Sequence, residues 1–268
     1  MHITSLQNPL VKSLMKLKSS ARRRRREGLM LVEGLDEIEL ALAAGHKPRT
    51  LIQSPTDARR SLAASWGEIV AVSAPVFGKL SFRENPDGWL GLFEAPVATL
   101  DGVEFRAIPL LIVVEAVEKP GNLGAILRTA DAAGVDAVVV CDAQADVYGP
   151  NVVRSSRGTV FSVPLVQAPA DQALAFMRGH GIRIVAATPS ASAEYTSEDL
   201  AGPVALAVGS ESQGLSEFWL EQADIRVRIP MLGKVNSLNV SVAAALLAYE
   251  AVRQRGNSGE NAGRPGRS

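Results

Sequence analysis

At 268 residues the chain is longer than a typical single domain, so two domains are expected. An apolar share of 47% excludes disorder over most of its length. With 28 basic and 28 acidic residues the formal charge is zero, which by itself speaks against a nucleic-acid partner. The single cysteine, Cys141 in the apolar run Val138-Val139-Val140-Cys141, excludes an internal disulfide and reads as a small buried hydrophobe. With no cysteine–histidine cluster, no metal is expected. The opening residues lack a basic cap followed by an apolar stretch, and the longest apolar runs are too short for a membrane span. A cytoplasmic setting without a membrane partner is the expectation.

In chain order, the first feature is a concentration of charge. Between Val11 and Arg26 the chain carries Lys12, Lys16, Lys18 and the run Arg22, Arg23, Arg24, Arg25 and Arg26, with no acidic residue among them. The remainder is therefore net acidic. Arginine suits phosphate because its guanidinium presents several donors in one plane, and such contacts weaken with added salt. A solvated basic helix face is the alternative for the same run.

Leu29–Val32 then reads as a strand and Leu35–Ala44 as a helix, with Gly45 placed to end it. Thr50–Gln53, Ile69–Val72 and Trp89–Phe93 read as further strands, and Asp57–Ser65 as a helix between two of them. Glu94–Ile108, with Pro96 and Asp101-Gly102, suits a linker. Beyond it, Leu110–Val114 and Ala137–Val140 are continuous apolar runs, as parallel strands covered on both faces require. The helix Leu123–Ala133 joins them, further strands are expected at Arg183–Ala187 and Val204–Val208, and a last helix spans about Leu238–Arg255. The division is 1–94, 95–109 as linker, 110–255, and a flexible, apolar-poor tail at 256–268. The second domain is α/β with a mostly parallel sheet, and a smaller α/β domain precedes it.

Three segments follow strands and carry polar groups to a sheet edge, where open α/β sheets bind ligands. In Glu118-Lys119-Pro120-Gly121-Asn122-Leu123-Gly124, Pro-Gly turns the chain, Asn122 is placed to cap a helix, and Arg128 lies just over a turn further on. In Gly209-Ser210-Glu211-Ser212-Gln213-Gly214, glycine permits close backbone approach and Glu211 offers a carboxylate. In Ile229-Pro230-Met231 through Ser237-Leu238-Asn239-Val240-Ser241, Ser237 is placed as a helix cap and Asn239 has little packing value. Ordinary strand–helix turns account for each segment taken alone. The chain has neither a Walker loop nor a Gly-x-Gly-x-x-Gly turn, so a phosphate-loop or dinucleotide site is not indicated.

Taken together and in order, Asn122-x-Gly124-x-x-x-Arg128, Gly209-Ser210-Glu211 with Gly214, and Ile229-Pro230-Met231 with Ser237-Leu238-Asn239-Val240-Ser241 resemble the SpoU (TrmH) family of RNA ribose 2′-O-methyltransferases, in the SPOUT superfamily. The first domain, with Val32-Glu33-Gly34, is similar to the ribosomal-protein-like RNA-binding domain of many members. The resemblance implies a deep trefoil knot, against the general rule that chains do not thread. It also implies S-adenosylmethionine as cofactor, a homodimer with sites completed across the interface, and structured RNA as substrate. Cofactor contacts would fall at Thr188, Leu206, Gly209, Ile229, Ser237 and Leu238. Asn122, Arg128, Glu211, Ser237 and Asn239 would serve the reaction, with Arg154 nearby for RNA or cofactor.

Ribosomal RNA, 23S in particular, is favoured over transfer RNA, because an added RNA-binding domain suits a large structured target. A non-catalytic RNA-binding or ribosome-assembly protein is the second reading, although such a protein has no need of all five site residues. A small-molecule methyltransferase is the third, and the basic Val11–Arg26 segment argues against it. The Arg22–Arg26 run lies outside the family pattern, so its assignment to RNA rests on charge alone.

Overall fold

The computed structural model describes residues 2–58, 60, 62 and 68–257. It divides into two compact units, Met1–Val97 with Asp146–Ser162, and Ala98–Ala145 with Val163–Ser268.

The first unit runs β1 (His2–Ile3), α1 (Pro9–Ser19), α2 (Ala21–Glu27), β2 (Leu29–Glu33), α3 (Leu35–Ala43), β3 (Pro48–Gln53), β4 (Ile69–Val72), α4 (Ala74–Leu80) and β5 (Trp89–Glu94). The sheet order is β1-β4-β3-β5-β2; β1, β4 and β3 run parallel, and β5 is antiparallel to both its neighbours. The helix expected over Asp57–Ser65 lies largely outside the described residues. α1 starts at Pro9 under the Asn8 side chain, which accepts from the Leu10 amide, and buries Val11, Leu14 and Leu17 at helical spacing.

The arginine run folds as α2, which Ser20 caps and Gly28 ends in the left-handed conformation. This corrects one expectation. Arg24 is buried, ion-paired to Asp146 at 2.7 Å, and donates to the carbonyls of Leu17 and Lys18. A charge taken out of water must be paired, and Arg24 is thereby committed to the fold rather than to RNA.

The second unit contains β6 (Leu110–Glu115), α5 (Pro120–Ala133), β7 (Ala137–Cys141), β8 (Leu165–Gln167), α7 (Ala170–Gly179), β9 (Arg183–Ala187), β10 (Ala193–Glu194), β11 (Val204–Val208), α8 (Glu217–Gln222), β12 (Ile225–Arg228) and α9 (Val240–Asn257). Its seven strands are all parallel, in the order β10-β12-β9-β11-β6-β7-β8. From β6 the chain moves outward through β7 to β8, then returns to fill the other side, so β6 and β11 flank the point where the winding reverses. Loops leaving the carboxyl ends of strands at such a point form the ligand crevice of open sheets.

Both expected caps differ in detail. α5 begins at Pro120, with Lys119 at the cap position, so Asn122 lies within the first turn. Proline at the first helical position has no amide to leave unsatisfied, which moves the start upstream. α9 begins at Val240, and its cap is Asn239, whose Oδ1 accepts from the Ser241 amide at 2.9 Å; Ser237 lies outside the helix.

α6 (Pro150–Ser156) and a 3₁₀ turn at Thr159–Phe161 follow β7 in sequence but belong to the first unit. No helix among the described residues is long and apolar enough to cross a membrane.

Candidate active site

The loops leaving β6 and β11 are tied to each other before any ligand is considered. Buried Glu115, at the end of β6, accepts from the Ser216 amide at 2.7 Å. Glu118 accepts from the Ser212 hydroxyl at 2.8 Å, and the Lys119 ammonium meets the Glu211 carboxylate at 2.5 Å. The β6 loop turns through Ala116, which adopts φ 51°, a left-handed conformation costly for a residue with a side chain. Its amide is spent on the Cys141 carbonyl at 2.9 Å.

The third segment closes the cluster. The Asn239 side-chain amide donates to Asn122 Oδ1 at 3.2 Å and to Glu211 Oε1. Because its Oδ1 also caps α9, the ring of contacts fixes which way the amide faces. The hydrogen bond from Lys119, with an amide contact from Asn122 and the charge of Lys119, holds the Glu211 carboxyl below its usual range, outweighing partial desolvation. The same hydrogen bond, with the charge of Glu211, raises Lys119.

Beside this cluster lies a cavity of about 420 Å³, within the range of cofactor pockets. It is lined by Thr188 and Pro189 after β9, by Gly209 to Glu211 and Gly214 after β11, and by Asn236 to Leu238 before α9. Leu215, Leu220, Ile229 and Met231 supply apolar wall. The β11 turn has a fixed shape. A Cβ on Gly209 would lie 2.0 Å from the Gly214 carbonyl carbon and oxygen, and Gly214 holds φ 72°. Those two positions therefore require glycine, and the requirement is steric and local.

Of the expected catalytic residues, Asn122, Glu211 and Asn239 meet in one cluster, and Ser237 lines the adjoining cavity. Of the expected cofactor contacts, Thr188, Gly209, Ile229, Ser237 and Leu238 line that cavity. Leu206 does not. It is fully buried in the middle of β11, and Val208 at the strand end stands on the cavity wall instead. Arg128 is exposed on α5, outside the cluster, and makes no hydrogen bond or ion pair among the described residues. Arg154 is exposed on α6 in the first unit, not among the cavity loops of the second. Lys119, Glu118 and Ser212 were not singled out in sequence, although they stand inside the segments that follow β6 and β11; polar residues flanking a strand–helix turn were the available signal. No group of three or more histidine, cysteine, aspartate or glutamate residues among the described residues is arranged to hold a metal.

Residues 109–249 match the SpoU rRNA methylase family, and residues 8–91 match the MRM3-like substrate binding domain. An uncharacterised tRNA/rRNA methyltransferase of Synechocystis is 36% identical over 266 residues, covering 94% of each chain. A 23S rRNA uridine 2′-O-methyltransferase of Streptomyces viridochromogenes is 33% identical over 255 residues, covering 89% of this chain and 88% of the other. Among solved structures, an RNA 2′-O ribose methyltransferase is 43% identical with a TM-score of 0.82, covering 95% of this chain and 99% of that one. A SpoU methyltransferase of Streptomyces viridochromogenes in complex with AdoMet is 31% identical with a TM-score of 0.84, covering 93% of this chain and 100% of that one. Matches of this length take in both units as well as the three loops around the cavity, and the chain belongs to the SpoU rRNA methylase family.

Proposed function

We propose that this chain transfers a methyl group from S-adenosylmethionine to a ribose 2′-hydroxyl of structured RNA, with 23S ribosomal RNA as the substrate class rather than transfer RNA. The observation that carries the reading is the meeting of Asn122, Glu211 and Asn239 beside a 420 Å³ cavity lined by Thr188, Gly209, Ile229, Ser237 and Leu238. The cavity fits the cofactor in chemistry as well as size: its apolar wall would take an adenine, the backbone of three loops would meet its polar edge, and the ionised Glu211 in the lining would favour a cationic sulfonium. Bound there, the cofactor supplies an electrophilic methyl.

The protein's own part is positioning and charge. Glu211, held below the ordinary carboxylate range, is a weak base at neutral pH; it orients the amides of Asn239 and Asn122 rather than taking the 2′-hydroxyl proton. The Arg128 guanidinium offers several donors in one plane and no acceptor, so its role is to bind the phosphate beside the target ribose and to stabilise the developing oxyanion. Its exposure and the lack of an acidic partner among the described residues suit that role. Alignment of nucleophile and methyl then accounts for much of the rate.

The chain acts as a homodimer through α5 and α9. Val242, Leu246 and Tyr249 are 46%, 36% and 51% exposed on α9, beside Ala125 and Thr129 of α5. An apolar face of that kind on a helix pair is normally covered, and a second copy brings a further Arg128 to each site. The cavity loops form the family's trefoil knot in this reading. RNA capture falls to the first unit, which matches a substrate binding domain.

The test is transfer of labelled methyl to unmodified 23S ribosomal RNA and, in parallel, to transfer RNA. Label at an alkali-resistant ribose of ribosomal RNA is the expected result. Label on transfer RNA alone would overturn the substrate, and cofactor binding without transfer to either would favour a binding protein.

A further inference from the structure

Within the first unit, most arginines have acidic partners. Arg23 and Arg26 pair with Glu27, Arg24 with Asp146, Arg49 with Glu94, Arg60 with Asp36 and Glu39, and Arg83 with Glu37. Among the described residues of the unit, four arginines have no hydrogen bond or ion pair through their side chains: Arg22, Arg25, Arg154 and Arg157, all exposed. Two lie on α2 and two on α6 or its C-terminal cap. The segment leading into α6 is fastened to α2. Arg24, between the two free arginines of α2, pairs with Asp146, four residues ahead of α6, with side chains only 9% and 16% exposed.

The segment carrying Arg154 and Arg157 is seated firmly on this unit. α6 packs against β2, and a Cβ on Gly158 would lie 2.6 Å from Leu40 Cδ1. The rings of Phe161 and His46 stand 5.4 Å apart. Arg157 itself holds φ 52° at the end of α6, a position where glycine is the unstrained choice. An arginine kept there with no intramolecular partner gains nothing from the fold.

We infer that α2 and α6 form one phosphate-docking face for structured RNA, in which Arg22, Arg25, Arg154 and Arg157 are the contacts and the buried Arg24–Asp146 pair is the fastener. The segment Asp146–Ser162, matched in sequence to the methylase family, thereby works for substrate capture. Guanidinium groups without carboxylate neighbours keep their full field and their full set of donors for phosphate oxygens. The inference rests on the RNA reading above, but concerns binding and not the chemical step.

The experiment is the salt dependence of binding of the full-length protein to a structured ribosomal RNA fragment. The proteins compared are wild type, Arg22→Gln/Arg25→Gln, Arg154→Gln/Arg157→Gln and the quadruple variant. Each double variant is expected to reduce the slope of log K against log salt by about one to two, and the quadruple by about twice that. S-adenosylmethionine affinity should stay unchanged in all. Arg157→Gly separates binding from folding: relieved of strain, it should melt no lower than wild type and still bind RNA less well. An unchanged slope in the α6 variants with a reduced one in the α2 variants would overturn the shared face, and unchanged slopes throughout would overturn both halves. Failure of wild type to transfer methyl, with these slopes as expected, would overturn the proposed reaction and leave the docking face standing.

Discussion

The Lys119 ammonium and the Glu211 carboxylate lie 2.5 Å apart although 92 residues separate them, and the pair joins the loop after β6 to the loop after β11. These two loops flank the reversal of the sheet, so the pair bridges the position at which open sheets of this kind bind ligands. Lys119 is well exposed, and its contribution to stability is accordingly small. Its effect falls on Glu211.

Removing Lys119 therefore changes a pH profile before it changes a melting curve. The Glu211 carboxyl is depressed chiefly by the Lys119 hydrogen bond, so the interaction is present above the ordinary carboxylate range and is lost as pH falls through the depressed value. In Lys119→Met the carboxyl returns toward its ordinary value. The acid limb of the kcat/KM profile should move to higher pH with little change in Tm; at neutral pH Glu211 stays ionised, and the several-fold loss expected there comes from the lost tie between the two loops. Lys119→Arg should restore most of the rate. An acid limb unmoved by Lys119→Met would show that Glu211 does not report on turnover.

Arg128→Ala should lower kcat by about 10²- to 10³-fold, the scale of losing one donor to a developing oxyanion. Cofactor affinity should be nearly unchanged, because Arg128 stands outside the cavity wall. Arg128→Lys keeps the charge, loses the planar fork, and should also be poor. Isothermal titration with S-adenosylmethionine and single-turnover methyl transfer separate the two quantities; a large loss of cofactor affinity would sink the assignment.

The sequence makes these site residues legible unevenly. β9 and β11 match the expected Arg183–Ala187 and Val204–Val208 because continuous apolar runs bounded by polar residues allow few other readings. β8, β10 and β12 escape that logic: they span 3, 2 and 4 residues, and short edge or near-edge strands depend on neighbours for definition. Asn122, Glu211 and Asn239 were visible as polar residues after strands, but their mutual hydrogen bonds depend on strand order, which no local pattern encodes. Arg24 was misjudged for the same reason, since its partner Asp146 lies 122 residues away. Leu206 is buried within β11 and absent from the cavity lining, where Val208 stands, because a motif marks a segment of chain and not which of its residues faces a cavity.

Gly209→Ala tests the turn after β11. Its Cβ would meet backbone of Gly214 at 2.0 Å, so the loop must move. A stability loss of about 1–3 kcal/mol is expected, as for overpacking elsewhere, with a weaker cofactor Kd because the same loop lines the cavity. Gly121→Ala is the control: nothing lies within 4 Å of its Cβ, and neither Tm nor Kd should worsen.

Cys141 reports on the integrity of β7. Burial, followed by the charges of Asp142 and Glu115, pushes its thiol up to about 12. Only the thiolate reacts readily, so the native protein should resist a thiol reagent at pH 8. Unfolded in urea, it should release one equivalent, since the chain has a single cysteine. Rapid labelling of the folded protein would mean that β7 opens.

Arg24→Ala should cost about 3–5 kcal/mol, because it strands Asp146 as an unpaired charge and leaves the carbonyls of Leu17 and Lys18 without their donor. Urea unfolding measures the loss. Asp146→Ala in the same background removes the stranded carboxylate and should recover part of it, which a simple packing defect at Arg24 would not allow. If the docking face inferred above is right, the unit should also lose RNA affinity beyond the loss of one cation, since Arg24 ties α2 to the segment leading into α6. If stability falls by that amount while RNA binding drops no more than in a single exposed Arg22→Gln variant, then the two helices bind RNA without needing the fastener between them.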